Sequence, residues 1–185
     1  MLEGKDVRLR VMEKDDVSLL VECINNTDFY AEYGPITQVS KTEAEKQFEN
    51  PTPLATITER VRFVIEKKDG TKIGFIAHYF VQPIRLMEIG YVIIPSERRK
   101  GYGTEAVQIM VDYLFLSKDV VRIQALTDVR NKASQRVLEK TGFQKEGVLR
   151  KVGYVRGKWA DACVYSILRQ EWKKPKILTK TASQN

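Results

Sequence analysis

Residues 98–106 have the sequence Arg-Arg-Lys-Gly-Tyr-Gly-Thr-Glu-Ala, a basic, glycine-rich turn between two segments of regular pattern. The segment before it, residues 88–94, is rich in strand-forming residues and ends at Pro95, whereas residues 106–116 carry apolar side chains at helical spacing. Because glycines leave backbone N–H groups uncovered and a helix N-terminus attracts negative charge, this stretch predicts a phosphate site. A tight turn with solvated basic residues is the alternative.

The spacing of the glycines excludes two common phosphate loops. A third glycine at the dinucleotide-binding position is missing, and no Gly-Lys-Ser/Thr ends the turn. The spacing Arg98-x-x-Gly101-x-Gly103 resembles instead the acyl-CoA pyrophosphate loop of the GNAT family of N-acetyltransferases. Residues 131–143 are similar to the second CoA-binding helix of that family, and a strand-like run at residues 120–127 precedes them, as in the family.

The two ends of the chain are similar to one branch of the family, the Rim type. Residues 2–16, 146–150, 157–161 and 165–172 carry this likeness. The branch contains ribosomal-protein N-terminal acetyltransferases and, more distantly, spermidine acetyltransferases. The resemblance covers residues 2–172, so we expect one domain over residues 1–172 and a basic, flexible tail over residues 173–185.

The resemblance implies an α/β fold of the α+β type, with a mixed, mostly antiparallel central sheet flanked by helices and two splayed strands that hold acyl-CoA. The residue pattern agrees with this fold. It predicts strands at residues 6–11, 62–67, 72–81, 86–94, 120–127, 144–155 and 162–170, and helices at residues 15–25, 41–49, 104–116 and 131–141.

The composition is that of one globular, cytoplasmic domain. The chain has 185 residues and no apolar run near the roughly 20 residues that span a bilayer, and its first residues do not form a signal peptide. Cys23 and Cys163 are far apart, without a Cys-x-x-Cys or a histidine cluster, so we expect reduced thiols and no metal site.

The formal net charge of +7 suggests an anionic ligand. Lysines and arginines are scattered along the chain, so we expect no sequence-specific nucleic-acid binding. The phosphates of CoA account for a basic face, and ribosome association is a further hypothesis. Whether the protein is a monomer or a homodimer stays open.

The resemblance implies that acetyl-CoA is the cofactor and assigns residues to it. The pyrophosphate would be bound by the loop, and the pantetheine arm by strand-end backbone groups and an asparagine, with the Ile93 N–H as a candidate oxyanion donor. These cofactor-binding residues are Ile93, Ile94, Arg98, Arg99, Lys100, Gly101, Tyr102, Gly103, Thr104, Asn131 and Ser134. An asparagine at a helix start is also an ordinary N-cap.

The resemblance also implies the catalytic groups. Ser134 matches the Rim-type serine that protonates the departing thiolate, although a serine on a helix is often merely exposed. Many family members carry a tyrosine acid seven residues after the asparagine, where this chain has Leu138, so that acid is excluded and the spermidine interpretation is weakened. Glu88 is the candidate base, acting through a water, with a solvated strand-edge glutamate as the alternative. His78, the only histidine, is expected to be a packed residue.

These observations predict an acetyl-CoA-dependent N-acetyltransferase that acts on the N-terminal α-amine of a protein, such as a ribosomal protein. The irregular segment at residues 27–60 would form the wall of the acceptor site. One alternative is a small-amine acetyltransferase acting on a polyamine, an aminoglycoside or an amino-acid analogue. Another is a CoA-binding regulatory or ribosome-associated module without turnover.

Overall fold

The computed structural model describes residues 1–50, 57–173 and 175. Its strands are β1 (Leu2–Glu3), β2 (Val7–Val11), β3 (Ile57–Lys67), β4 (Lys72–Val81), β5 (Leu86–Ile93), β6 (Arg122–Asp128), β7 (Gln144–Val155) and β8 (Lys158–Leu168). Its helices are α1 (Val17–Asn25), α2 (Lys41–Glu49), α3 (Tyr102–Ser117) and α4 (Lys132–Thr141). Most of the expected tail lies outside the described residues.

All of these strands form one open mixed sheet, in the order β1-β2-β3-β4-β5-β6-β8-β7. Neighbouring strands are antiparallel except β5 and β6, which are parallel. The β5–β6 pairing is short, because only Met87 and Glu88 have partners, Ile123 and Gln124. Beyond Glu88 the two strands separate, and a gap opens in the middle of the sheet.

The helices cover both faces of the sheet. The face that carries α3 and α4 holds the larger core, with Ile76, Ile89 and Leu114 fully or almost fully buried. The opposite face packs α1 over a smaller core that includes Val64 and Phe75. Because side chains alternate along a strand, neighbouring residues of β5 contribute to opposite faces.

The mixed α/β architecture predicted from the sequence is confirmed. One difference is that β3 begins at Ile57, several residues before the predicted start. The register between β3 and β4 shifts between Thr58 and Val61, and Glu59 has a φ of 50°. This bulge interrupts the alternation of the strand, so the first part of β3 is not recognisable from the pattern.

Cys23 and Cys163 are buried free thiols, as expected. Within the described part of the chain, no helix is long and apolar enough to cross a membrane. The same residues contain no cluster of candidate metal ligands.

Candidate active site

The gap between β5 and β6 exposes backbone groups at the end of β5. The N–H of Ile94 donates to the carbonyl of Ile73 on β4, at 2.9 Å. In an antiparallel ladder every second residue bonds the same neighbour, so the backbone groups of Ile93 and Tyr91 point away from β4, into the gap. Ile94 is thus engaged with β4 through its N–H, whereas Ile93 offers its N–H to the gap.

The turn before α3 leaves its backbone uncovered. Gly101 is the N-cap residue, with a φ of 90°, and a Cβ there would have no neighbour within 4 Å. Arg99 has a φ of 64°, a left-handed conformation that favours glycine. The first N–H groups of a helix lack partners within the helix, and those of Tyr102 and Gly103 precede the first helical bonds, which the Thr104 and Glu105 N–H groups donate to Gly101. The turn therefore presents donors and a positive helix end to an anion.

The basic side chains of this turn have different orientations. The Arg98 guanidinium is half-buried and donates to two carbonyls, that of Ile93 at 2.9 Å through Nε and that of Phe29 through Nη2. Burial lowers the pKa of Arg98. Arg99 is exposed, and the exposed Lys100 forms an ion pair with Glu97 at 3.0 Å. Arg98 therefore fixes the turn from inside, and Arg99 and Lys100 remain on its surface.

Gly103 lies where α3, β5 and α4 meet. A Cβ at this position would lie 3.6 Å from Cγ1 of Ile93 and 4.0 Å from Cγ2 of Val137. Both distances are ordinary van der Waals contacts, so a larger side chain would extend into the crevice between β5 and α4.

The start of α4 brings two of the predicted residues together. The Asn131 Oδ1 accepts a bond from the Ser134 N–H at 3.0 Å, so Asn131 is the N-cap of the helix and its Nδ2 is left to bind elsewhere. The Ser134 hydroxyl lies 2.9 Å from the hydroxyl of Tyr91, and burial raises the pKa of Tyr91 to about 12. Leu138 is fully buried in the core.

Tyr91 was missed in the sequence analysis. A signal was present, because Tyr91 is two residues before Ile93 and so shares its strand face and backbone direction. What the sequence does not reveal is that α4 passes close enough for Ser134 to contact its hydroxyl.

Glu88 is not a solvated strand-edge residue, because only 8% of it is exposed. Both of its carboxylate oxygens accept hydrogen bonds. The Tyr79 hydroxyl donates to Oε1 at 2.7 Å, and the Gln124 Nε2 donates to Oε2 at 3.0 Å. Burial and the charge of Glu88 raise the pKa of Tyr79.

Tyr79 and Gln124 are the two cross-strand neighbours of Glu88. Sequence reasoning missed both, although Tyr79 follows from counting residues on either side of the β4–β5 turn. Glu88 shares its face of the sheet with Gly90, which is exposed, and a Cβ on Gly90 would lie 4.0 Å from the Tyr79 hydroxyl. A small open space therefore adjoins the hydroxyl that bonds Glu88.

The candidate base and acid approach the gap from opposite faces of the sheet. Val92, on the face of Glu88, packs toward α1, while Ile89 and Tyr91 pack in the core below α3 and α4. Ser134 reaches the gap from the α4 side through Tyr91. Two ligands that meet in the gap from opposite faces would thus each lie beside a different one of the candidate residues, Glu88 and Ser134.

A family model described as an acetyltransferase (GNAT) domain matches residues 6–144. The chain belongs to the GNAT acetyltransferase family. It is 36% identical over 174 residues to YoaA, an uncharacterized N-acetyltransferase of Bacillus subtilis, and the match covers 91% of this chain and 97% of YoaA. This GNAT protein is therefore an acetyltransferase.

Two solved structures share the GNAT fold. RimL, a ribosomal L7/L12 alpha-N-protein acetyltransferase in complex with coenzyme A, superimposes with a TM-score of 0.77 at 18% identity, covering 90% of this chain and 97% of RimL. A spermidine N-acetyltransferase from Vibrio cholerae, in complex with CoA and spermine, gives a TM-score of 0.78 at 22% identity, covering 91% and 99%. The fold alone does not separate these two acceptors.

In this GNAT protein the segment after α1 forms a wall on the Glu88 face. The Arg156 guanidinium, at the β7–β8 turn, donates to the Thr27 carbonyl. The Arg130 guanidinium pairs with Glu32 at 3.6 Å. A cavity of about 370 Å³ lies between this segment and the β7–β8 turn, lined by Pro35, Ile36, Tyr154, Arg156 and Gly157. Of the irregular segment predicted over residues 27–60, residues 51–56 lie outside the described residues.

His78 is a packed residue, as expected. It is 2% exposed on the α3 face of β4, between the rings of Phe63 and Tyr113, whose centroids are 6.1 and 6.0 Å away. Neither ring nitrogen has a hydrogen-bond partner among the described residues. Burial lowers the pKa of His78 to about 4, so the ring is neutral at physiological pH.

Proposed function

We propose that this GNAT protein is an acetyl-CoA-dependent N-acetyltransferase of the Rim type, which acetylates the N-terminal α-amine of a protein such as a ribosomal protein. The observation that carries the proposal is the gap beyond Glu88. It has an N–H of Ile93 at its edge, a buried carboxylate on one face and the Tyr91–Ser134 hydroxyl pair on the other.

The residues around the gap fit acetyl-CoA. The uncovered N–H groups at Gly101, Tyr102 and Gly103 suit a pyrophosphate, because donors and a helix dipole are already oriented toward it. A pantetheine arm is extended and has amide groups, so it would pair with the gap-facing N–H of Ile93 as an added strand would, while the Ile93 carbonyl is bonded by Arg98. The Asn131 Nδ2 is a further donor beside it. We assign the cofactor contacts to these groups.

The bound thioester supplies an acetyl carbon activated for attack by an amine. Tyr79 takes a proton from the attacking amine as its own hydroxyl proton passes to Glu88 Oε1, so the proton ends on the buried carboxylate. The Ile93 N–H donates to the carbonyl oxygen as charge develops there, a contribution of about 3 kcal/mol for one such donor. Ser134 donates its hydroxyl proton to the sulfur when the carbon–sulfur bond breaks and regains a proton from solvent, while Tyr91 holds the Ser134 hydroxyl in position.

The α-amine is favoured as acceptor because it loses its proton more readily than a lysine amine does. In the site the proton passes to Glu88, whose two oxygens each accept a hydrogen bond. An α-amine has a pKa near 8 and is partly neutral at physiological pH, whereas a lysine amine with a pKa near 10.4 is almost wholly protonated. The α-amine therefore needs less deprotonation than a lysine amine before it can attack the acetyl carbon. Relatives with either type of acceptor share the fold, so the fold does not choose between the two amines.

A binding and turnover experiment tests the proposal. Acetyl-CoA at 100 times its Kd should stabilise the protein by roughly 3 kcal/mol, measured by thermal unfolding. Thiol release is then followed with N-terminal peptides, spermidine and an aminoglycoside as acceptors, and peptides should be fastest. The absence of any thermal shift would refute cofactor binding. A faster reaction with spermidine would support the small-amine alternative, and binding without thiol release from any acceptor would support a non-catalytic module.

A further inference from the structure

Arg62, on β3, is a half-buried arginine without an acidic partner. Its Nη1 lies 3.9 Å from the sulfur of Met12, and the described residues place no Asp or Glu in an ion pair with it. The remaining residues, 51–56, 174 and 176–185, contain no Asp or Glu at all. No acidic side chain of this chain is therefore paired with Arg62.

Arg62 lies in the same row of the sheet as the open space at Gly90. Ala77 of β4 is paired with Arg62 on one side and with Gly90 on the other. Since paired residues have side chains on the same face, Arg62 faces the α1 side, as do Tyr79 and Glu88. Adjacent strands are about 4.8 Å apart, so the Arg62 and Gly90 backbones are roughly 10 Å apart. The guanidinium itself contacts Met12, which follows β2 on the other side of β3, so the side chain would turn toward β4 to bind a ligand beside Gly90.

Arg60 adds a second positive charge to the same place. The bulge at the start of β3 brings it over Tyr79, with the guanidinium carbon 5.1 Å from the ring centroid. It too has no ion pair among the described residues, whereas other arginines in this structure do. The paired ones include Arg8, Arg10, Arg122 and Arg130.

A half-buried guanidinium without an anion has lost hydration that the Met12 sulfur, a weak acceptor, replaces only in part. Burial, followed by the repulsion of Arg60, lowers the pKa of Arg62, in the direction expected for a cation that lacks its counter-ion. A carboxylate placed beside the guanidinium would form two parallel, charge-assisted hydrogen bonds. A polyamine, which carries only positive charges, would be repelled by both arginines.

We propose that Arg62, assisted by Arg60, binds a carboxylate of the acceptor, so that the preferred substrate is an amine with a carboxylate within about two residues, roughly 7 Å. The inference rests on the proposed function, since it assumes that the amine binds beside Tyr79 and Gly90. The carboxylate comes either from an acidic side chain at position 1 or 2 of a peptide N-terminus or from the α-carboxylate of a free amino acid. The reacting α-amine and the bound carboxylate thus belong to one molecule.

The test compares acceptors that differ in one charge. Peptides with Glu, Gln or Lys at position 1 or 2, free glutamate, glutamate α-amide and spermidine are measured for acetylation and for binding to the CoA-loaded protein. The Glu peptides should exceed the Gln peptides by about 10- to 100-fold in kcat/KM, mainly through KM, the range expected for one charge-assisted contact. If free glutamate reacted faster than every peptide, the carboxylate that binds Arg62 would be the α-carboxylate of a free amino acid.

Variants locate the contact. Arg62→Met should bring Glu and Gln peptides to the same kcat/KM, Arg62→Lys should restore part of the difference, and Arg60→Gln should reduce it by a smaller factor. Arg85→Met, which removes an exposed arginine from the far turn of β4 and β5, should leave the difference intact. Because Arg60 is exposed, its variant does not depend on repacking of the interior.

Equal use of Glu and Gln peptides by the wild-type protein, or a charge preference that persists in Arg62→Met, would overturn the proposal. Preferential binding or acetylation of spermidine would do so as well. The binding measurement separates this inference from the proposed function. If acidic peptides bind through Arg62 but no acceptor is acetylated, the enzymatic proposal fails while the carboxylate site stands.

Discussion

The two faces of the sheet differ at the gap. On the α3 and α4 face, the groups available for binding are mostly backbone N–H groups, together with the Ser134 hydroxyl. They come from two continuous stretches of sequence, the turn before α3 and the start of α4. On the α1 face, the groups around the open space at Gly90 are side chains from three different strands, including Tyr79, Glu88 and Gln124. The first face is suited to one invariable ligand, and the second changes its specificity with single side chains.

The largest expected effect comes from filling the α3 face. Gly103→Trp should abolish stabilisation by acetyl-CoA, because the indole would occupy the crevice between Ile93 and Val137. Thermal unfolding with and without acetyl-CoA measures this effect. The matched control is Gly147→Trp, at a strand position where a Cβ meets no atom within 4 Å, and it should keep the full shift. If acetyl-CoA stabilised Gly103→Trp as much as the wild-type protein, the crevice would not be part of the cofactor site.

The next effect concerns the base on the α1 face. Glu88→Gln should lower kcat/KM for a peptide by about 10²- to 10⁴-fold, the usual range for a general base. It should leave the acetyl-CoA shift nearly intact, because Glu88 is on the face opposite α3 and α4. Equal losses of cofactor binding and turnover would mean that the two faces are not functionally separate.

Tyr79→Phe removes the hydroxyl that bonds Glu88 and keeps the ring beneath Arg60. We expect about a 10- to 100-fold loss of kcat/KM at pH 7. The loss should shrink above pH 8, where the α-amine is already neutral and needs no relay. Rates of acetylation at several pH values measure this loss. The melting temperature of the variant is the control, because it shows whether Arg60 and Glu88, which face the hydroxyl, are still packed as in the wild-type protein. A loss that is constant across the pH range would indicate a structural role only.

A smaller effect is expected for the acid. Ser134→Ala and Tyr91→Phe should each lower turnover by about 10-fold or less, because a thiol is acidic enough to leave with little help. Thiol release under saturating acetyl-CoA measures this step. A loss as large as that of Glu88→Gln in either variant would show that protonation of the sulfur limits the reaction.

The smallest effect on activity is expected at His78, which affects stability instead. Its pKa is about 4 in the folded protein and near 6.5 when unfolded, so the unfolded state binds the proton first as the pH falls. Its contribution is fully present above pH 6.5 and is lost toward pH 4, by about 3 kcal/mol at most. Because the chain has one histidine, an NMR titration reports its pKa directly. A pKa near 6.5 in the folded protein would contradict this assignment.

The comparison of the two faces also explains what the sequence could predict. The turn at residues 98–104 and the start of α4 are each one continuous stretch of sequence, so their resemblance to a known family implied the fold and the cofactor. Ile93 followed from its position at the end of β5. The orientation of Arg98 toward Phe29 did not follow, because it depends on a loop about 70 residues away in the chain.

The α1 face was predicted only in part. Glu88 could be named as a base, but its burial depends on Tyr79 and Gln124, which reach it from neighbouring strands. Arg62 could not be recognised because an arginine without a partner has no sequence signature. It is identified by the carboxylates that are absent around it in the described structure.

Arg98 connects the end of β5 to the segment after α1, since one guanidinium bonds the carbonyls of Ile93 and Phe29. A ligand that orders the turn of Arg98 therefore also restrains the wall over the acceptor space. Such a link would couple the two binding events, and coupling of this kind is reciprocal. Each substrate would then be held most tightly once the other is in place, and one side chain would carry that coupling.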